Sequence, residues 1–367
     1  MTEVAEKVQR IARLTPLADV LARIDTLVAP VAPRAVNTSE AAGCVLAQDV
    51  VAPAHPRVPL ALRDGYAVKA EETMDAGAYA PAPLTAASWV AVGDPLPVGA
   101  DAVAPVDAVR AWDARVEALA PIAPGEGVLP AGADASEAPL RRAGEVLRPL
   151  DQAVLTALGV ARARVRAPRA RLALARPQDR FARAIEAMLS AMIISAGATA
   201  ERTTGDVAAA LGSGADLVVI VGGTGSGRED RSVEELARLG RIEAHGVAIA
   251  PGETTAWGMA GTTAVLIVPG RIDAALAGFL LIGQHVLARL SGRTAEAALY
   301  PAALVRKISS TIGLVEVVPV RREGNGVVPL ALGYLPLQAL TQASGYVVVP
   351  AESEGFPAGA EVRVRPL

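Results

Sequence analysis

The chain has 367 residues, 52% of them apolar and 20% charged, with a formal net charge of −3. That length suggests about two to four domains, the apolar share allows packed cores, and the charge balance excludes a nucleic-acid partner held by bulk electrostatics. Cys44 is the single cysteine and the three histidines (His55, His245, His285) are scattered, which excludes an intrachain disulfide, a cysteine-based zinc cluster and a histidine-rich metal site.

The opening stretch "MTEVAEKVQRIARL" is amphipathic and carries Glu3 and Glu6, unlike a signal peptide. Thr15-Pro16 predicts a helix N-cap with proline at the first helical position; Leu17, Val20, Leu21, Ile24 and Leu27 then recur at helical spacing. From about 48 to 131, short Val/Ala runs cut by prolines predict a small β domain with many turns. Within it, Asp64-Gly65 ahead of Tyr66-Ala67-Val68 reads as a turn feeding a strand. The stretch 146–165 predicts a helix stopped at Gly159 and then a strand.

Residues 171–297 have a different texture. "RLALA", "ADLVVIV" and "TAVLIVPG" predict buried strands, and "FARAIEAMLSAMIISAG" and "RSVEELARLG" predict amphipathic helices. Strands alternating with helices imply an α/β layer with a mostly parallel sheet. The apolar run "AALAGFLLIG" reads as too short and too glycine-broken to span a bilayer, so the expectation is a soluble, cytoplasmic protein without a membrane partner. After Gly292, valine-rich segments predict a final β-barrel or sheet domain.

The strongest local feature is "DLVVIVGGTGSGREDRS". A buried strand ends at Val221, and Gly222, Gly223, Gly225 and Gly227 precede the next helix. Such a loop lets backbone N–H groups approach an anion at the carboxyl edge of the sheet. It is neither a dinucleotide fingerprint nor a Walker loop, and a plain strand-to-helix connection is the alternative reading. Asp230 reads first as a cap for the following helix and second as a group that orients hydrated Mg²⁺.

Taken in order, "RDGYAV", "VGDPLPVGADAV", "LPAGADA", the glycine loop ending at Asp230, and "VAIAPGETTAWGMAGTTAVLIVPG" resemble the MoeA family. These are the molybdopterin molybdenumtransferases related to the gephyrin E domain. The resemblance spans essentially the whole chain and implies an elongated multidomain homodimer of mixed α/β and β architecture. Its domains would be 1–48 with 132–170 (dimerisation), 49–131 (inserted, β-rich), 171–297 (molybdopterin-binding, α/β) and 298–367 (C-terminal, β). It implies an active site in a cleft shared between protomers, where adenylylated molybdopterin loses AMP with Mg²⁺ as molybdate enters the dithiolene. Residue by residue, it assigns catalytic roles to Asp64, Asp134, Asp179 and Asp230, with Asp179 and Asp230 on the metal. It assigns the pterin ligand to Gly222, Gly223, Thr224, Gly225, Ser226 and Gly227, and further to Pro251, Gly252, Pro269 and Gly270.

The chain departs from the family pattern. Ala250 and Glu253 stand where the family has oxyanion-binding lysines, Arg271 replaces an asparagine, and Arg180 replaces a glutamate. A glutamate at an anion site reverses the needed charge, and the candidates to restore it are Arg228, Arg231 and Arg271. The "GGTG" loop also resembles the molybdopterin adenylyltransferases. Three functions follow as expectations: an active molybdenumtransferase, a non-catalytic molybdopterin-binding carrier or insertion partner, and an adenylyltransferase-like activity. A molybdoenzyme or another cofactor-biosynthesis protein is the expected partner besides a second copy.

Overall fold

The aliphatic strand expected ahead of the glycine loop runs Leu217–Val221 and sits inside a six-stranded sheet. The computed structural model describes residues 9–112, 115–203, 206–294 and 299–367. The chain divides into two units, one of Met1–Gln48, Ala143–Gln152 and Arg162–Leu367, the other of Asp49–Arg142 and Ala153–Ala161.

In the first unit, Thr199–Arg202, Arg169–Leu174, Leu217–Val221 and Thr263–Val268 run parallel, in that order across the sheet. Ala256–Ala260 and then Arg241–His245 continue it antiparallel. Alternation explains why the central strands read as unbroken apolar runs. Leu217, Val219 and Val221 enter one core with the helices Leu17–Leu27 and Arg180–Ser195, while Val218 and Ile220 enter a second with Leu211 and Leu236 on the opposite face. Both faces are therefore covered, and the sheet is the middle of three layers.

Two sequence expectations change here. Thr15 does not cap the first helix; its N–H bonds to Gly246 O at 2.9 Å, and Pro16 takes the N-cap position without a side-chain bond. The apolar run after Arg271 is longer than it reads. It forms one continuous helical stretch, Ile272–Ser291, whose 20 residues suffice by length and composition to cross a membrane. Of its most apolar window 78% is buried inside the molecule, so its place is the core. Gly278 and Gly283 do not break it, because both serve close packing: a Cβ on them would come within 2.9 Å of Thr255 Oγ1 and 2.4 Å of Phe279 Cδ2.

At the end of the chain, Val315–Glu323, Gly326–Pro329, Tyr300–Leu304, Glu361–Pro366 and Gly345–Val349 pair in sequence, and the last pairs back onto the first. That return closes a barrel and leaves no open edge. Val318, Val320, Val327, Val347 and Val364 fill its interior.

The second unit is built from small antiparallel sheets, as the proline-broken texture predicts. Gly65–Val68 is the middle strand between Ser88–Val90 and Ala102–Ala104. Val68 and Tyr66 join one small core and Ala67 another, so both faces of this strand are used.

Candidate functional site

The connections of the α/β sheet determine where a ligand can enter. After Leu174 the chain turns to the helix Arg180–Ser195 on one face, and after Val221 it turns to the helix Ser232–Leu239 on the other. Neighbouring parallel strands whose connections leave in opposite directions open a crevice at their carboxyl ends. A cavity of about 340 Å³ lies there, lined by Arg176 and Asp179 from the first connection, Gly222–Gly225 and Asp230 from the second, and Pro269–Arg271 beyond Val268.

The glycine loop is held in shape on several sides. Gly222 and Gly223 have φ of +90° and +77°, a region that disfavours side chains. A Cβ on Gly223 would also stand 2.2 Å from Ser232 Oγ, which donates to Gly222 O at 2.9 Å. Asp230 closes the loop, accepting from Gly227 N at 3.1 Å and from Arg176 Nη2 at 3.4 Å. His245 Nε2 lies 3.0 Å from Thr224 O, and the Thr224 and Thr254 hydroxyls pair at 2.9 Å. Gln9 Nε2 donates to Gly225 O at 3.0 Å and to Gly223 O at 3.3 Å. The carbonyls of Gly222, Gly223, Thr224 and Gly225 are engaged, while the amides of Gly223, Thr224, Gly225 and Ser226 have no acceptor among the described residues.

Electrostatics point the same way. The helices Arg180–Ser195, Ser232–Leu239 and Ile272–Ser291 all begin at this edge, bringing partial positive charge to it. Arg176 adds a guanidinium, half-exposed, paired loosely with Glu229 at 3.3 Å and Asp230 at 3.4 Å. Arg271 adds a second, bidentate to Asp273, whose hydrogen bonds and charge push the Arg271 pKa up. The arrangement offers an oxyanion open backbone amides and two lining arginines, beside the carboxylates of Asp179 and Asp230.

Comparison with known proteins agrees. Residues 5–159 match the model "MoeA N-terminal region (domain I and II)" and residues 178–289 match "Probable molybdopterin binding domain". The chain belongs to the MoeA family. A molybdopterin biosynthesis protein of Methanocaldococcus jannaschii is 25% identical over 90% of this chain and 91% of its own length. The molybdopterin molybdenumtransferase 2 of Mycobacterium tuberculosis is 28% identical over 67% of this chain and 72% of its own. Among solved structures, a MoeA protein of Pyrococcus horikoshii superposes with a TM-score of 0.77 at 24% identity, covering 97% of this chain and all of that one.

Of the residues that the MoeA resemblance assigns, Asp179, Asp230, Gly222, Gly223, Thr224, Gly225, Pro269 and Gly270 line one cavity. Ser226 and Gly227 are exposed on the outer part of the loop, outside that lining. Pro251 and Gly252 are buried and do not line it either. Asp179 is the N-cap of its helix through Phe181 N at 2.8 Å, and its other oxygen has no partner among the described residues. Asp230 does not cap the next helix, whose N-cap is Arg231 without a side-chain bond; its carboxylate is spent on the loop instead.

Asp64 and Asp134 belong to the second unit. Asp64 accepts from Val92 N at 2.8 Å, Arg63 holds Val103 O and Glu126, and a Cβ on Gly65 would lie 2.2 Å from Ala104 O. The "RDGYA" segment thus has a complete structural role in its turn, and Asp64 keeps an exposed carboxylate there. Asp134 is also exposed, its backbone N–H bonded to His55 O at 2.9 Å.

The positions of the missing lysines lie outside the cavity lining, although the Glu253 charge is close enough to help raise the Arg271 pKa, after Asp273. Ala250 is buried in a two-residue strand, and the Glu253 carboxylate turns back to accept from Gly252 N at 3.0 Å; neither lines the cavity. Arg271 does line it, whereas Arg228 and Arg231 do not. Sequence reading missed Arg176 and Gln9. Arg176 directly follows the strand "RLALA", a position that a search of strand ends would reach. Gln9 is 214 residues from Gly223 and gives no local signal.

Proposed function

We propose that the chain acts in molybdenum-cofactor biosynthesis by binding adenylylated molybdopterin at the carboxyl edge of its α/β sheet and exchanging AMP for molybdate. The carrying observation is the set of open amides at Gly223–Gly225, in the segment matched by the molybdopterin-binding model, lining one cavity with Arg176 and Arg271. Those amides would hold a phosphate of the ligand, and the arginines would replace the family's lysines as its cations. Mg²⁺ would be held by Asp179 and Asp230 with phosphate oxygens and water, where it would neutralise charge. A homodimer, a cytoplasmic location and a molybdoenzyme client belong to the same proposal.

A second reading, a molybdopterin-binding carrier without transferase chemistry, is favoured by one observation. Asp230 is already paired with Arg176, and no group of three or more potential metal ligands forms among the described residues. One assay separates the two: AMP released from adenylylated molybdopterin by the purified protein, with and without molybdate. Molybdate-dependent release is the expected result. Tight binding without release would favour the carrier, and failure to bind would contradict both.

A further inference from the structure

Arg271 occupies a place where the MoeA pattern has asparagine, and its surroundings constrain it more than those of Arg176. Its Nε and Nη2 grip both oxygens of Asp273, at 3.1 and 2.6 Å. Asp273 is only 3% exposed, so its charge has little water and depends on that guanidinium. Leu335 N, from the loop that follows Gly326–Pro329 within the C-terminal barrel domain, donates to the same carboxylate at 3.2 Å. Tyr334 of that loop stacks under the guanidinium, with Cζ 5.1 Å from the ring centroid. The plane and direction of the side chain are thus set from two sides. Its Nη1 edge has no partner among the described residues, and the side chain is 59% exposed on the cavity wall.

We propose that Arg271, oriented by Asp273 and Tyr334, is the side chain that selects the phosphate end of the ligand in this chain, and that Tyr334 is its positioning residue. The inference rests on the reading that the ligand enters the carboxyl-edge cavity. The Arg271–Asp273 pair is close to neutral overall, so selection comes from donor geometry rather than net charge. A guanidinium can satisfy a buried carboxylate with two donors and still present others in the same plane. A lysine ammonium in the same place has three donors on one centre but no fixed plane, so it could not grip both Asp273 oxygens and hold a second donor edge in a set direction. The C-terminal domain therefore takes part in recognition through its 333–335 loop, although none of its residues lines the cavity.

The test measures AMP and inorganic pyrophosphate binding by calorimetry on the full-length chain, for wild type, Arg271→Lys, Tyr334→Phe and Tyr334→Leu. Arg271→Lys is expected to weaken both probes at least about tenfold, a loss of about 1.4 kcal/mol. Tyr334→Phe, which keeps the ring, should bind like wild type, and Tyr334→Leu should bind several-fold more weakly. Should Arg271→Lys fail to fold around Asp273, the two Tyr334 variants decide alone. Lysine binding within twofold of arginine, equal behaviour of the phenylalanine and leucine variants, or no probe binding by wild type would each overturn the proposal. The functional reading fails separately: wild type that binds AMP through Arg271 but not adenylylated molybdopterin would refute that reading and leave this inference standing.

Discussion

The two edges of the α/β sheet carry cavities of opposite character. At the amino edge lies the larger, about 660 Å³, lined by Leu27–Val31, Arg169, Asp216, Arg241 and Thr263 among others. The helices Leu17–Leu27, Ser232–Leu239 and Ile272–Ser291 end there, bringing partial negative charge. Its charged groups are consumed locally: Asp216 accepts from Arg169 N at 2.7 Å and Arg169 Nη2 donates to Gly214 O at 2.8 Å. The carboxyl-edge cavity has about half the volume, but helices begin at it, amides are open and two arginines face it. Chain direction, rather than volume, decides which end of such a sheet can hold an anion.

The largest expected effect comes from glycine exchange at each edge. Gly223→Ala meets both a positive φ and the Ser232 hydroxyl, and should cost about 1–3 kcal/mol of stability in backbone strain alone. AMP affinity should fall with it by at least about tenfold, read by calorimetry. Gly261→Ala at the amino edge has φ of +62° but nothing within 4 Å of its Cβ. It should lower the melting temperature modestly and leave AMP affinity unchanged. A loss of AMP binding in the Gly261 variant would break the comparison.

Charge removal should give the next effect. Arg176→Gln takes away one of the two cavity arginines and should weaken AMP binding by roughly 3- to 10-fold, within the range of a partly exposed charged hydrogen bond. Arg169→Gln at the opposite edge should not change it. Smaller again is Gln9→Ala, which removes the donor that holds Gly223 O and Gly225 O. Faster hydrogen exchange at the 223–227 amides is expected with global stability nearly intact; unchanged exchange would show that Gln9 does not order the loop.

The smallest effect concerns pH. Burial alone would raise the Glu243 carboxyl, but hydrogen bonds from Arg23 at 2.8 Å and from Arg241 outweigh it and hold its pKa below the usual 4.5. A depressed folded-state pKa means stability that is present above the ordinary carboxylate range and lost as pH falls through the folded value. Glu243→Gln should therefore flatten part of the acid limb of a denaturation profile without altering AMP affinity at neutral pH.

Much of this was legible in the sequence where the signal is local. The continuous run Leu217–Val221 reads as a buried strand, and the glycines after it as a close-approach loop with a plain strand-to-helix connection as the alternative. The segments around Asp64 and Asp134 and the glycine loop ending at Asp230 carry the family resemblance. What escaped notice depends on distant chain. Gln9 reaches its loop across 214 residues; the valine-rich segments allow a barrel or a sheet, and the pairing of Val315–Glu323 with Gly345–Val349 decides for the barrel. The Glu253 substitution reads as a reversed charge at an anion site, and side-chain direction is not written in sequence; in the fold its carboxylate turns onto Gly252 N, while its charge still reaches Arg271. Gly278 and Gly283 looked like helix breaks because their partners, Thr255 and Phe279, meet them only by packing.

The most direct measurement is a crystal structure of the protein grown with adenylylated molybdopterin. A phosphate of the ligand is expected against the amides of Gly223–Gly225, with the Nη1 edge of Arg271 on one of its oxygens. Ligand density in the amino-edge cavity beside Arg169 and Asp216, or at the carboxyl edge with those amides unused, would contradict this expectation.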